Sequence, residues 1–147
     1  MKISARRVVL AVVLAVGTAV SACTQQPEVA PSLYERLGGL GTITDVVDKF
    51  VDEMAADERV NQRFANSNLS RLKIRLIQQI CEASGGPCKY QGQPMAVAHK
   101  GMNITVAEFE ATGEDLAKAL DDAGVPAPEK DELLTLIGSM QNQIVGK

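Results

Sequence analysis

A chain of 147 residues gives room for one domain, and 46% hydrophobic residues against 22% charged is a globular balance that excludes extensive disorder. The formal charge of −3 hides an asymmetry: Lys2, Arg6 and Arg7 are the only charged residues of the first 22, and without them the remainder carries −6. So acidic a body offers no basic face for nucleic acid, and solvated helix faces account for its acidity.

Residues 1–22 fall into three parts. A basic head holds Lys2, Arg6 and Arg7. An apolar run follows from Val8 to Val20, interrupted at Gly17 and Thr18. Small residues then lead through Val20-Ser21-Ala22 into Cys23. A basic end followed by about a dozen apolar residues is the pattern of an export signal, and the run is short for a permanent span. The ending resembles a bacterial lipobox, which makes Cys23 a lipidation site and the new first residue. The stretch Thr24 to Pro31 is then a polar tether (residues 23–31). That organisation places the protein outside the inner membrane, held by lipid, with Thr24 favouring the outer membrane. An uncleaved anchor helix or an ordinary signal peptide remains the plainer alternative.

From Ser32 onward the pattern is helical, and residues 32–147 form the domain. Ser32 caps a short helix over Leu33 to Leu37, with Glu35 completing a capping box. Gly38-Gly39 ends it. Ile43, Val46, Val47, Phe50, Val51 and Met54 then recur at spacings of three and four, predicting one apolar stripe on a helix from Thr42 to Ala56. Residues 61–68 are polar and irregular around Phe64. A third helix starts at Asn68 or Ser70, carries Leu72, Leu76, Ile77, Ile80 and Cys81 on one side, and stops at Gly85-Gly86-Pro87.

Cys81 and Cys88 flank that break. In an oxidising compartment they can close a loop of about eight residues, worth roughly 2.5 kcal/mol of chain entropy. Two free thiols or a redox-active pair are the other possibilities. Gly92, Pro94 and Gly101 confine the next helix to Met95 to Lys100. Thr105 caps a long helix to Ala123, closed by Gly124-Val125-Pro126. A last helix spans Ala127 to Val145. No segment alternates, so the fold class is all-α.

The chemistry is limited by a single histidine, His99. Sites built from several histidines are excluded, no glycine-rich loop follows a strand, and Cys81 and Cys88 lack the spacing of a zinc pair. A lone histidine is most often packed or surface-exposed. Heme is the cofactor for which one histidine suffices, because an iron porphyrin needs one protein nitrogen and a large apolar slot. Met95, four residues before His99, shares its helix face. Phe50, Val51, Phe64, Leu72, Leu76 and Ile80 are candidates to line such a slot, or simply to form a helical core.

The order of motifs resembles the group 1 truncated hemoglobins, the two-on-two helical globins. The motifs are Leu33-Tyr34-x-x-Leu37-Gly38-Gly39, Phe50, Phe64 with Asn68-Leu69-Ser70-Arg71-Leu72-Lys73, Gly85-Gly86-Pro87-x-x-Tyr90-x-Gly92, and Met95-x-x-x-His99-x-Gly101-Met102-x-Ile104-Thr105. The resemblance covers 32–145 and implies a two-on-two sandwich, heme as cofactor, a diatomic gas (O2, NO or CO) as ligand, His99 as proximal iron ligand, and Phe64 wedged on the porphyrin. It places Tyr90 at the pocket; Arg75, next to Leu76, either pairs with a heme propionate there or stands on a solvated helix face.

The chain departs from the family on the gas side. Where many members carry a tyrosine it has Val51, and where they often carry glutamine it has Leu76, with Leu72 apolar too. That implies weaker retention of oxygen. Lys73 or a methionine are the remaining candidates for the sixth position of the iron. Two other functions stay open: nitric oxide oxidation or peroxidase-like turnover, which need an as yet unknown reductant, and a non-heme envelope lipoprotein of globin shape.

Overall fold

The computed structural model describes residues 30–147; residues 1–22, expected to be an export signal, and Cys23, expected to be lipidated, lie outside the described residues. Seven helices follow in order: α1 (Leu33–Arg36), α2 (Gly39–Ala56), α3 (Leu69–Ala83), α4 (Met95–Ala98), α5 (Val106–Asp122), α6 (Ala127–Gly138) and α7 (Gln141–Ile144), with one 3-10 turn at Asn61–Arg63. Among the described residues there is no strand, only an isolated bridge between Ile104 and Val145. No described helix is long and apolar enough to cross a membrane.

The expected α2 stripe is the centre of the core. Ile43, Val46, Val47, Phe50, Val51 and Met54 are all at most 5% exposed. A stripe that wide lets one helix face two partners, and α2 packs on both α3 and α5, while α5 packs on α6. Two helix pairs stacked through α2 and α5 are the two-on-two arrangement. Ala111, Leu116, Ala119 and Leu120 of α5 and Leu133 of α6 complete the core, each large side chain contributing about 1.5–3 kcal/mol by burial.

The helix starts follow their capping residues. Glu35 N–H donates to Ser32 Oγ and Ser32 N–H to Glu35 Oε2; Thr105 and Glu108 repeat the same box at α5. Asn68, rather than Ser70, caps α3 by accepting from Arg71 N–H at 2.9 Å.

Two boundaries differ from expectation. Helix α2 begins at Gly39, three residues before Thr42. Gly38 and Gly39 both take positive φ (95° and 74°), so the chain reverses between α1 and α2 within two residues, and the Tyr34 hydroxyl accepts from Leu40 N–H at 3.1 Å. The last helix is broken into α6 and α7. Its interruption falls at Ser139-Met140, where Ser139 Oγ donates to Leu136 O at 2.6 Å and the backbone tightens to Met140 N–H donating to Ile137 O.

Candidate functional site

Between these helices lies one large cavity of about 1130 Å³. Eight of the pocket residues expected from sequence stand on it: Phe50, Phe64, Leu72, Arg75, Leu76, Ile80, Tyr90 and Met95, together with His99. The periodicity explains much of this, because Leu72, Arg75, Leu76 and Gln79 share one face of α3. Val51 is the exception. Successive residues of a helix point about 100° apart, so with Phe50 on the cavity Val51 turns away. It lines a smaller recess of about 240 Å³ with Met54 and Leu69, whose walls Phe64, Ser67 and Leu72 also border the large cavity.

His99 is the C-cap of the one-turn helix α4 and is half-buried. Its Nδ1 lies 2.8 Å from Met95 O, which also accepts the His99 backbone N–H at 3.1 Å. A carbonyl only accepts, so Nδ1 carries the hydrogen, and in the neutral ring Nε2 is the nitrogen with the lone pair. A hydrogen bond from the other ring nitrogen to a backbone carbonyl is what orients a metal-ligating imidazole. Among the described residues no group of three or more His, Cys, Asp or Glu is placed to hold a bare metal ion. A metal at Nε2 would therefore bring its other donors with it, as iron in a porphyrin does.

Arginines border the cavity in different states. Arg63 is tied: Nε and Nη2 donate to Glu108 Oε1 and Oε2 at 2.7 and 2.9 Å, and Nη1 to Met102 O at 2.9 Å. The Arg63 hydrogen bond, with the Thr105 amide, lowers the Glu108 carboxyl to about 2. Among the described residues Arg71 and Arg75 make no ion pair, Arg75 donating only to Gln78 Oε1 at 3.0 Å. They stand four apart on α3, so both charges are available to an acidic group at the mouth. Burial pushes the Tyr90 phenol up, with Arg75 opposing. Lys73 points elsewhere, pairing with Asp48 at 2.9 Å.

The sequence reading missed the far wall. Phe109, Leu116, Leu134, Ile137 and Met140, from α5, α6 and the turn before α7, line the cavity, and their spacing is that of any core stripe. Gln79 was missed as well: its amide donates to the sulfurs of Met95 and Met140 at 3.2 and 3.3 Å, both weak acceptors. Its place three residues after Leu76 was the available signal. Cys81 and Cys88 are bonded, with Cα atoms 5.7 Å apart, so the end of α3 is tied to the segment that leads into α4.

The comparisons agree with this geometry. The profile of the bacterial-like globins matches residues 32–145. A group 1 truncated hemoglobin of Mycolicibacterium paratuberculosis is 36% identical over 113 residues, covering 77% of this chain and 83% of the relative. The crystal structure of truncated hemoglobin from Tetrahymena pyriformis in its Fe(III) form is 32% identical, with a TM-score of 0.77 over 80% of this chain and 100% of that one. The 2/2 hemoglobin of Synechococcus, solved in the cyanomet state with covalently attached heme, is 33% identical, with a TM-score of 0.71 over 77% and 95%. Stacked helix pairs, a cavity bordered by one oriented histidine, and a profile match over the whole described domain lead to one assignment: the chain belongs to the bacterial-like globin family.

Proposed function

We infer that this protein binds heme through His99 and reversibly takes up a diatomic gas at the iron. The observation that carries this is the His99 ring, whose Nδ1 is held by Met95 O at 2.8 Å on the wall of the cavity. The residues present fit the group. A cavity of about 1130 Å³ reaches the upper end of the roughly 300–1,000 Å³ usual for ligand pockets. Phe50, Phe64, Leu72, Leu76 and Ile80 supply the apolar walls, and Arg71 and Arg75 the charge partners for two propionates. When bound, heme would supply the iron at which a diatomic gas is taken up.

The chain's own part is to orient one nitrogen, exclude water and set the polarity of the gas side. Leu76 and Leu72 themselves present no hydrogen-bond donor to a bound gas, which favours carbon monoxide and nitric oxide over retained oxygen. The test is an absorption spectrum of the purified protein reconstituted with heme, beside His99→Ala. A stoichiometric Soret band that the variant loses or shifts is expected. No band in the parent protein would sink the assignment.

We also propose that residues 1–22 export the chain and that Cys23 carries a lipid anchoring it on the far side of the inner membrane. The basic head, apolar run and Val20-Ser21-Ala22-Cys23 ending support this reading. Palmitate labelling of the protein in growing bacteria is expected, and labelling that survives Cys23→Ser would refute it.

A further inference from the structure

Helix α4 cannot fix His99 by itself. It is a single turn, its N-cap Pro94 makes no side-chain cap, and Ala96, Val97 and Ala98 are exposed. The chain that follows turns through two left-handed positions, Gly101 at 80° and Asn103 at 49°. On its N-terminal side His99 is tied twice to Met95 O. On its C-terminal side its carbonyl accepts from Met102 N–H at 3.0 Å, and the other end of that residue, Met102 O, accepts from Arg63 Nη1 at 2.9 Å.

Arg63 is therefore one residue removed from His99. It comes from the 3-10 turn next to Phe64, on a different part of the cavity wall. Its Nε and Nη2 donate to Glu108 in a two-pronged pair, and Glu108 is fixed in turn by the Thr105 cap. A guanidinium can hold a carboxylate and a carbonyl at once because its donors are rigidly spread; an ammonium cannot hold both with that geometry. The pair is partly buried, with side chains 34% and 20% exposed.

We propose that Arg63 is a positioning residue for His99: through Met102 it holds the histidine-bearing segment against the Phe64 wall, and so sets how firmly and at what angle the imidazole meets iron. The proposal rests on the heme assignment and deepens it. Loss of such outer partners weakens metal sites roughly 10- to 100-fold.

The experiment compares heme-reconstituted parent protein with Arg63→Met, Arg63→Lys and Arg59→Met. Arg59 is a control of equal charge, paired with Asp57 and Glu114 at the surface. The readouts are the iron–histidine stretching band in the ferrous resonance Raman spectrum and the rate of heme transfer to an acceptor globin. Both Arg63 variants should shift or broaden the band and lose heme at least about tenfold faster, while Arg59→Met matches the parent. An unchanged band and transfer rate in Arg63→Lys overturns the proposal, and that variant decides alone if Arg63→Met does not fold. A parent protein without a Soret band sinks the heme assignment instead. The clamp is then judged by amide exchange at Met102, and exchange unaltered by Arg63→Met overturns it too.

Discussion

Residue by residue, the polarity of a few buried positions governs the behaviour of the site. Val51, 2% exposed, opens on the recess beside the main cavity, with Phe64 and Leu72 between them. A tyrosine there would fill the recess up to the Phe64 and Leu72 wall that it shares with the cavity, and a hydroxyl that passes that wall would meet the gas. One hydrogen bond of roughly 1–3 kcal/mol corresponds to about a five- to over a hundredfold change in affinity. Val51→Tyr should therefore slow oxygen dissociation, measured by stopped flow, with a smaller effect on carbon monoxide; an unaltered oxygen rate would show that the recess does not communicate with the ligand.

Asp115 of α5 is a different case. It is 7% exposed, and its Oδ2 has no hydrogen-bond partner. Burial, with Asp57 next, raises its carboxyl to about 6, Arg59 opposing and Glu53 and Glu114 adding to the rise. The native state thus binds this proton more tightly than the unfolded chain does. The contribution to stability is complete below about pH 4 and is lost as pH rises toward 6. Asp115→Asn should raise stability by about 1–3 kcal/mol at pH 7.5 and by much less at pH 4. Urea melts at the two pH values check this, and equal differences at both would refute it.

Among the elements, the connections carry as much of the site as the helices. The bond between Cys81 and Cys88 fastens the segment before α4 to the end of α3, and Tyr34 N–H donates to Ser84 O at 2.8 Å to hold α1 on the same corner. Gly86 is required there, because a Cβ would come within 2.5 Å of Tyr34 Cδ2 and 2.7 Å of Cys81 O. Cys88→Ser should cost about 2.5 kcal/mol, a fall in Tm of roughly 10 °C for a domain of this size, and reductant should lower the parent to the same value. A parent melting curve indifferent to reductant would show that the bond contributes nothing to stability.

Element boundaries also mark where sequence reading was sound. The start of α5 was legible because Thr105 and Glu108 satisfy each other's backbone locally. The start of α2 was not, since two glycines at positive φ ordinarily end helices, and here they let one begin at once under the Tyr34 hydroxyl. The break between α6 and α7 is marked by a Ser139 side-chain bond to Leu136 O and a tightened backbone bond at Met140, too small a signal to stand out from a continuing apolar pattern.

At the scale of the whole molecule, periodicity and order of motifs were enough for the class and the assembly. Periodicity gave the all-α class, and the two-on-two assembly was implied by the family resemblance that the order of motifs carries. His99 could be singled out from sequence because it is the one imidazole the chain has. Its tautomer could not, because that follows from Met95 O being 2.8 Å from Nδ1. Nor could the far cavity wall of Phe109, Leu134 and Ile137, because an apolar stripe has the same spacing whether it meets another helix or an open space. The turning of Val51 away from the cavity and the reach of Arg63 across 39 positions to Met102 O are likewise outcomes of packing. Local patterns decide which residues leave water. Only the fitting of the helices against one another decides which of those residues are left facing a cavity.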